Sequence, residues 1–320
     1  MRFDDARPRP DDPYLRYSLA EFRELIFAVF DAAGVRTMVE IGAEGGAFTE
    51  ELVAWAEGHA GRLVSIDPSP SDLVRQLAAR SEAAVLLEQI SLEALPGLEP
   101  ADAYLVDGDH NYFTVSSELG LIADAAAKAD PAVFPLLVLD DVGWPSGRRD
   151  QYYAPDRLPS EAVHPYDFGG VVPWSAETGP RGFRGEGAFA FARQEGGARN
   201  GVLTAVEDFL AGHPGWDLLT LPCLFGLGFA FPSTAPWAGD VRRILEPLAD
   251  NPLLARLESN RILLYLRLLE EQDELAERRR RAAERVASLE ADIADLQAEL
   301  ALVREALREA RTPAQPDPAH

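Results

Sequence analysis

Between Val35 and Asp140 the chain alternates short apolar runs with stretches of helical spacing, and this alternation restricts its fold more than any other feature. VRTMVEI (35–41), RLVSI (62–66), AVLLE (84–88), AYLVD (103–107) and LLVLD (136–140) lack helical period, and each ends near a turn or an acid. Helical segments lie between most of them, around 47–57, 71–80 and 112–127. Such a pattern predicts parallel strands joined by crossover helices, with both sheet faces covered. Upstream, Ser18 can cap a helix whose Phe22, Leu25, Ile26 and Val29 recur at helical spacing, and Gly34 can stop it. Downstream, a helix at about 201–212 precedes DLLTLPCL (217–224) and FGLGFAF (225–231), two runs close enough to predict an antiparallel hairpin closing the sheet.

Two segments break the pattern. Residues 142–199 are rich in Gly, Pro, Arg and aromatics without a clear period, and so long a loop inside a domain points to a lid or binding loop. A Pro-rich connector follows the hairpin. From about 254 the chain turns Leu-, Glu-, Arg- and Ala-rich, and Val286, Leu289, Ile293, Leu296, Leu300, Val303 and Leu307 step by threes and fours. That is a heptad seam, flanked by Glu290, Asp292, Glu299 and Arg304, and it predicts self-association through a coiled coil, as a dimer. Gln272 and Arg279 at seam positions weaken its upstream part, and the arginine run 278–281 reads as a solvated face.

A net charge of -23 argues against nucleic acid or an anionic membrane as partner, because both require a basic surface. Cys223 is the sole cysteine, which excludes an intrachain disulfide and a Cys-rich metal site and fits a reducing cytoplasm. No stretch has the length and apolarity of a signal peptide or a membrane span, so the expectation is a soluble intracellular chain. Lys128 is the sole lysine; there is no P-loop motif, and a Schiff-base mechanism would rest on that one residue.

The first strand runs into Gly42-Ala43-Glu44-Gly45-Gly46. Glycines at a strand-to-helix turn let the backbone approach a ligand, and the carboxyl ends of parallel strands face the ligand crevice. The turn is not G-x-G-x-x-G, whose middle glycine admits a pyrophosphate, so a ligand without phosphates is the better match. Asp67, ending the second strand, can accept from both hydroxyls of a ribose. Glu40 can meet an ammonium group directly or through water, and Glu88 or Gln89 can meet an adenine amine. Each is weak alone, since Gly in such a turn is usually only a turn and an acid there often only caps a helix. Together, in successive βα units, they describe a pocket for S-adenosylmethionine.

The runs VEIGAEGGAFTEEL, SIDPSP, DAYLVDGDHNYFTVSSEL and LLVLDDVGWP resemble the class I S-adenosylmethionine-dependent methyltransferases, specifically the subgroup whose fourth strand ends in D-G-D-H-x-Y. The resemblance covers about residues 35–231. It implies a Rossmann-like α/β fold, a seven-stranded sheet with the last strand antiparallel. It places Gly42 and its neighbours Glu44 and Gly45 along the methionine part of the cofactor, and Asp67 and Asp107 in the cofactor site. It further implies a sugar or natural-product hydroxyl as acceptor, with or without a divalent metal. The resulting organisation is a disordered leader at 1–17, a methyltransferase domain at 18–232 with 142–199 as acceptor lid, a Pro-rich linker at 233–253, a coiled coil at 254–311 and a disordered tail at 312–320.

Asp107 ends the fourth strand with Asp109 and His110 just beyond, and Asp140 and Asp141 end the fifth. Carboxylates crowded there need a cation, a proton or an arginine to offset them. Mg²⁺ on Asp107, Asp140 and Asp141 would lower the pKa of an acceptor hydroxyl; alternatively His110 or Asp109 takes its proton directly. The two readings stand level, beside a plainer one in which Asp109 and Asp141 cap segments and His110 packs. In the insert, Arg148, Tyr152, Tyr153, His164, Tyr166 and Trp174 can hold an acceptor or equally form a minicore. The competing functions are a nicotinamide oxidoreductase, disfavoured by the turn and by the absence of Tyr-x-x-x-Lys, and a non-catalytic cofactor-binding assembly protein working through the coil.

Overall fold

The computed structural model describes residues 18–129, 132–223 and 225–311. The leader 1–17 and the tail 312–320 lie outside the described residues. The chain divides into two units, Met1–Arg267 and Leu268–His320.

In the first unit, Ser18 accepts from Ala20 N and opens a short 3-10 turn that runs into α1 (Arg23–Ala33), ended by Gly34 at φ +67°. The alternating elements follow as β1 (Thr37–Ile41), α2 (Ala47–Gly58), β2 (Arg62–Ile66), α3 (Asp72–Arg80), β3 (Ala84–Leu87), α4 (Ser91–Ala94), β4 (Ala103–Val106), α5 (Tyr112–Lys128) and β5 (Leu136–Leu139). Ser71 and Asn111 cap α3 and α5 through Val74 N and Thr114 N, each cap being worth about 1 kcal/mol. After the insert come α6 (Val202–Gly212), β11 (Trp216–Leu221) and β12 (Leu227–Pro232), the expected hairpin.

The seven strands lie in the order β11-β12-β5-β4-β1-β2-β3. Strands β1 to β5 pair in parallel, while β12 runs antiparallel to both β5 and β11, as the sequence predicts. Every interior strand is apolar on both faces because helices cover both. Met38, Ala103, Leu105, Leu136 and Val138 face a core with Phe30, Leu52, Trp55 and Phe229. Their alternates Val39, Ile41, Tyr104, Val106, Leu137 and Leu139 face a second core with Leu119, Ile122, Val206 and Phe209. Truncating a side chain as buried as Leu52 or Phe30 costs about 3–5 kcal/mol.

Three expectations change. The insert is structured: β6 (Gln151–Tyr152), β10 (Ala190–Ala192) and β7 (Tyr166–Asp167) form one small sheet, and β8 (Gly170–Val172) and β9 (Ser175–Gly179) form another. Strands of two to five residues are too short to print a period on the sequence. The stretch 233–253 is no linker, because α7 (Ala238–Leu245) buries Ala238, Val241 and Leu245 in the first core. The last helix, α8 (Pro252–Arg311), starts inside the first unit, where Ile262 and Leu266 are buried, Glu258 accepts from Phe225 N and Arg261 stacks over the Phe225 ring. No described helix is long and apolar enough to cross a membrane.

Candidate active site

The strand order reverses at β1: the chain leaves it toward β2 and β3 on one side, and β4 and β5 lie on the other. Ligands of open α/β sheets bind outside the carboxyl ends of the strands at such a point. There Gly42 donates to Ile66 O at 2.9 Å, and Asp107 N donates to Ile41 O at 2.9 Å, so the ends of β1, β2 and β4 are locked together. Gly42 sits at φ +89°, and a Cβ on it would collide with the Asp107 carbonyl. The first glycine is thus required by the approach of β4, whatever ligand binds. Glu44 and Gly45 form the exposed tip of the turn, and a Cβ on Gly45 would meet nothing within 4 Å.

Glu40 is buried beneath the turn. Thr49 Oγ1 donates to both of its oxygens at 3.0 Å and Ser65 Oγ to one at 2.5 Å. Burial pushes its carboxyl up to about 7; the Ser65 and Thr49 hydrogen bonds oppose the shift, and the charges of Asp107 and Asp67 add to it. Asp67 accepts from Ala43 N at 3.0 Å, Glu44 N at 2.9 Å and Ser69 N at 2.7 Å. The turn's own N–H groups therefore occupy most of the acceptor sites that the sequence reading assigns to a ribose. Glu88 is exposed and held by Arg75, whose Nε and Nη2 donate at 3.0 and 2.8 Å, while Gln89 is exposed beside it.

On the other side of β1 the acids do gather. Asp140 N donates to Val106 O at 3.1 Å, which sets Asp140 beside Asp107. Asp141 has a left-handed backbone, φ +56°, an arrangement uncommon outside glycine and frequent at functional sites. That turn carries its Oδ2 to 3.3 Å from His110 Nδ1, while His110 Nε2 lies 4.0 Å from Asp107 Oδ1. Burial raises all three aspartates; Asp107 is pushed up to about 7, with His110 opposing, and Asp140 is raised well above its ordinary value, with Asp107 and Asp141 repelling its charge. Among the described residues the buried Asp140 Oδ1 has no donor, and an ionised Asp107 can supply none. A proton on Asp140, donated toward Asp107, resolves both the repulsion and the orphaned atom. Asp109 is also raised by burial, against the attraction of His110 and Arg157.

This geometry departs from the metal expectation. Among the described residues no three His, Cys, Asp or Glu side chains converge so as to hold a metal ion. Asp141 is turned to His110 and Asp140 to Asp107, so the three carboxylates do not present one set of oxygens, and Mg²⁺ does not fit them as arranged.

The sequence reading missed the anchors of the insert. Asp150, fully buried, accepts from Tyr112 N and Gly201 N at 2.7 Å each and from Tyr152 Oη at 2.8 Å, which ties the insert to the starts of α5 and α6. Burial raises its carboxyl although these donors oppose the shift. Asn200 accepts from Asp150 N, and the buried Arg149 donates to Ala192 O and Ala176 O. Gln151 N donates to His110 O at 3.0 Å, so the anchored segment also holds the histidine. No pattern in RRDQYY signals this; an Asn-Gly pair at 200–201 marks only a turn.

The aromatic set divides. Tyr152 and Tyr166 pack edge to face within the insert, Arg148 pairs with Glu207, and His164 Nε2 lies 2.8 Å from Arg199 O. Tyr153, 49% exposed, lies 6.0 Å from the His110 ring and packs on Phe189, which leads into an aromatic cluster of Phe183, Phe191 and Phe225. Two recesses lie in the insert, about 590 Å³ against His164, Tyr166 and Arg193 and about 420 Å³ against Arg148, Trp174 and Glu195. Neither is lined by the glycine turn or by His110, so the side-chain cluster and not a recess locates the chemistry.

Neither a protein-family model nor a curated protein matches the sequence. Among solved structures, the chain is similar to the SAH-bound methyltransferase PaMTH1 of Podospora anserina at 17% identity, over 65% of this chain and 76% of that one, with a TM-score of 0.39. It is similar to cofactor-bound Rv0187 from MTB at 17% identity, over 70% and 84%, with a TM-score of 0.40. The CcbJ methyltransferase of Streptomyces caelestis gives 13% identity over 66% and 89%, with a TM-score of 0.37. Likeness at this level does not decide function, which has to be argued from this chain's own residues.

Proposed function

We propose that the protein is an S-adenosylmethionine-dependent methyltransferase acting on a hydroxyl of a sugar or small natural-product acceptor. One observation carries the reading: His110, held by Asp141, faces Asp107, whose backbone packs against Gly42 at the point where the strand order reverses. The buried acids of that edge are crowded and repel one another, which suits a ligand bearing positive charge without phosphates.

The cofactor supplies a methyl group on a cationic sulfur. The chain's residues would do the rest. Gly42, Glu44 and Gly45 line the methionine part, with Glu40 supporting the turn from below. Asp67 would take a ribose hydroxyl on the acceptor capacity that the Ala43, Glu44 and Ser69 N–H groups leave free, and Glu88 or Gln89 would border the adenine. The acceptor oxygen would lose its proton to His110 Nε2 as it takes the methyl group, the methyl–sulfur bond breaking to leave a neutral thioether. Asp141, 3.3 Å from Nδ1, orients the ring and stabilises the imidazolium. Asp109 is the second candidate base. Tyr153 and the insert cover the acceptor. No step passes through a metal. The seam of α8 joins copies of the chain into a homo-oligomer.

The test is transfer of label from S-adenosylmethionine into a metabolite extract, read by mass spectrometry as products heavier by one methyl. Wild type should yield such a product and His110→Asn should not, while both bind the cofactor. Binding of NAD in place of S-adenosylmethionine, or cofactor binding without any methylated product, would remove the reading in favour of the oxidoreductase or the assembly protein.

A further inference from the structure

From Val286 to Leu307 the seam residues of α8 are 44–64% exposed. A stripe stepping by threes and fours on an otherwise charged helix matches a copy of itself. With Val286, Ile293, Leu300 and Leu307 in the first core position of each heptad and Leu289, Leu296 and Val303 in the second, the residues flanking the seam include Arg285, Glu290, Glu299 and Arg304.

Their order is self-complementary in one arrangement. In a parallel pair in register, each residue just before a first core position faces the partner residue five places on. Arg285 then faces Glu290 of the partner subunit, and Glu299 faces Arg304 of the partner subunit. Arg278 and Asp292 face alanine and glutamine, so no like charges meet. An antiparallel pair has two stackings of the same seam. Setting Leu289 on Leu307 brings Glu299 against its own copy, and a shift by one heptad brings Asp292 against Glu299. Both are repulsive.

A second observation agrees. The arginines upstream are consumed within the helix, Arg278 by Glu274, Arg280 by Glu277 and Glu284, and Arg281 by Glu277. Among the described residues, Arg285, Glu290, Glu299 and Arg304 make no ion pair inside the chain. The four charges that the parallel register pairs are thus among those without an ion pair in the helix, together with Arg279, Asp292, Asp295 and Glu305. Val286 and Ile293 in first core positions, with Leu289 and Leu296 in second ones, favour two strands over the first two heptads, whereas Leu300 and Val303 in the next heptad do not.

We propose that residues 286–307 form a parallel, in-register, two-stranded coiled coil with a second copy of this chain. This rests on the self-association proposed above and not on the chemistry of methyl transfer.

The experiment uses the full chain with Cys223→Ala, which removes the sole cysteine. Light scattering should give the mass of two chains. Leu289→Cys should then cross-link to itself on oxidation, because parallel register sets each copy opposite its equal. Glu299→Arg, an exposed change that cannot unfold the globular unit, should raise the dissociation constant on the order of tenfold, and adding Arg304→Glu should restore it. A mass of one chain would reject self-association itself, and a mass of three the strand number. A dimer in which Leu289→Cys cross-links to Leu307→Cys and not to itself, or in which Glu299→Arg changes nothing, would overturn the orientation.

Discussion

His110 presents Nδ1 to Asp141 Oδ2 at 3.3 Å, and the left-handed backbone of Asp141 is what brings that carboxylate within reach. The pair leaves Nε2 4.0 Å from Asp107 Oδ1. His110→Asn should lower kcat by about 10²–10⁴ with cofactor affinity retained. Asp141→Asn should cost less, since the imidazole stays and only its orientation and charge partner go. Steady-state rates and calorimetric cofactor titration check both; loss of binding in His110→Asn would assign the histidine to the pocket wall instead.

Gly42 and Gly45 offer a paired comparison within one turn. Gly42→Ala must place a Cβ against the Asp107 carbonyl at φ +89°, and should destabilise by roughly 2–4 kcal/mol and abolish cofactor binding. Gly45→Ala meets nothing within 4 Å and should stay within about 0.5 kcal/mol of wild type. Urea denaturation of the two variants is the measurement, and equal effects would mean that the close approach of β1 and β4 is not what Gly42 serves.

Glu118, buried on α5, accepts from Ser91 Oγ, and burial pushes its carboxyl from 4.5 to about 8. The folded chain therefore holds a proton that the unfolded chain releases between those values. Its contribution to stability is complete below pH 4.5 and is lost as pH rises through 8. Stability should fall by up to about 1.4 kcal/mol per pH unit within that window, and Glu118→Gln should flatten the slope. Glu40, raised to about 7, adds the same sign and leaves a residual slope. Denaturation midpoints at pH 5 to 8 decide the matter: a slope of opposite sign, or one unaltered by Glu118→Gln, is incompatible with a buried proton there.

Asp150 is satisfied by Tyr112 N, Gly201 N and Tyr152 Oη, three donors with no water to replace it. Asp150→Ala should cost about 3–5 kcal/mol and expose the insert to limited proteolysis before the sheet unfolds. Cleavage within 142–199 in the variant and not in wild type is the expected pattern. Simultaneous loss of sheet and insert would show that the two are one cooperative unit.

Much of the first unit was legible because its signals are local. The bounds of β2, Arg62–Ile66, coincide with the run RLVSI, the caps Ser18, Ser71 and Asn111 sit at helix starts, and Gly34 ends α1 in the left-handed conformation. The hairpin of β11 and β12 follows from two apolar runs with no room for a crossover between them. The short strands of the insert and the helix α7 were not legible, the former for want of length and the latter because prolines around it read as a connector.

By itself, then, the sequence determined the strands and helices of the seven-stranded sheet, which of its strand ends carry glycines and acids, and that α8 bears an apolar stripe at heptad spacing. Periodicity, capping and charge order act over a few residues and are written in the chain. Tertiary structure alone decided that burial beside Asp107 raises the Asp140 carboxyl, that Asp141 turns to His110, that Asp67 is occupied by its own turn and that Asp150 pins the insert. Those outcomes depend on which strands become neighbours and on how far water is excluded, and both are properties of the assembled sheet.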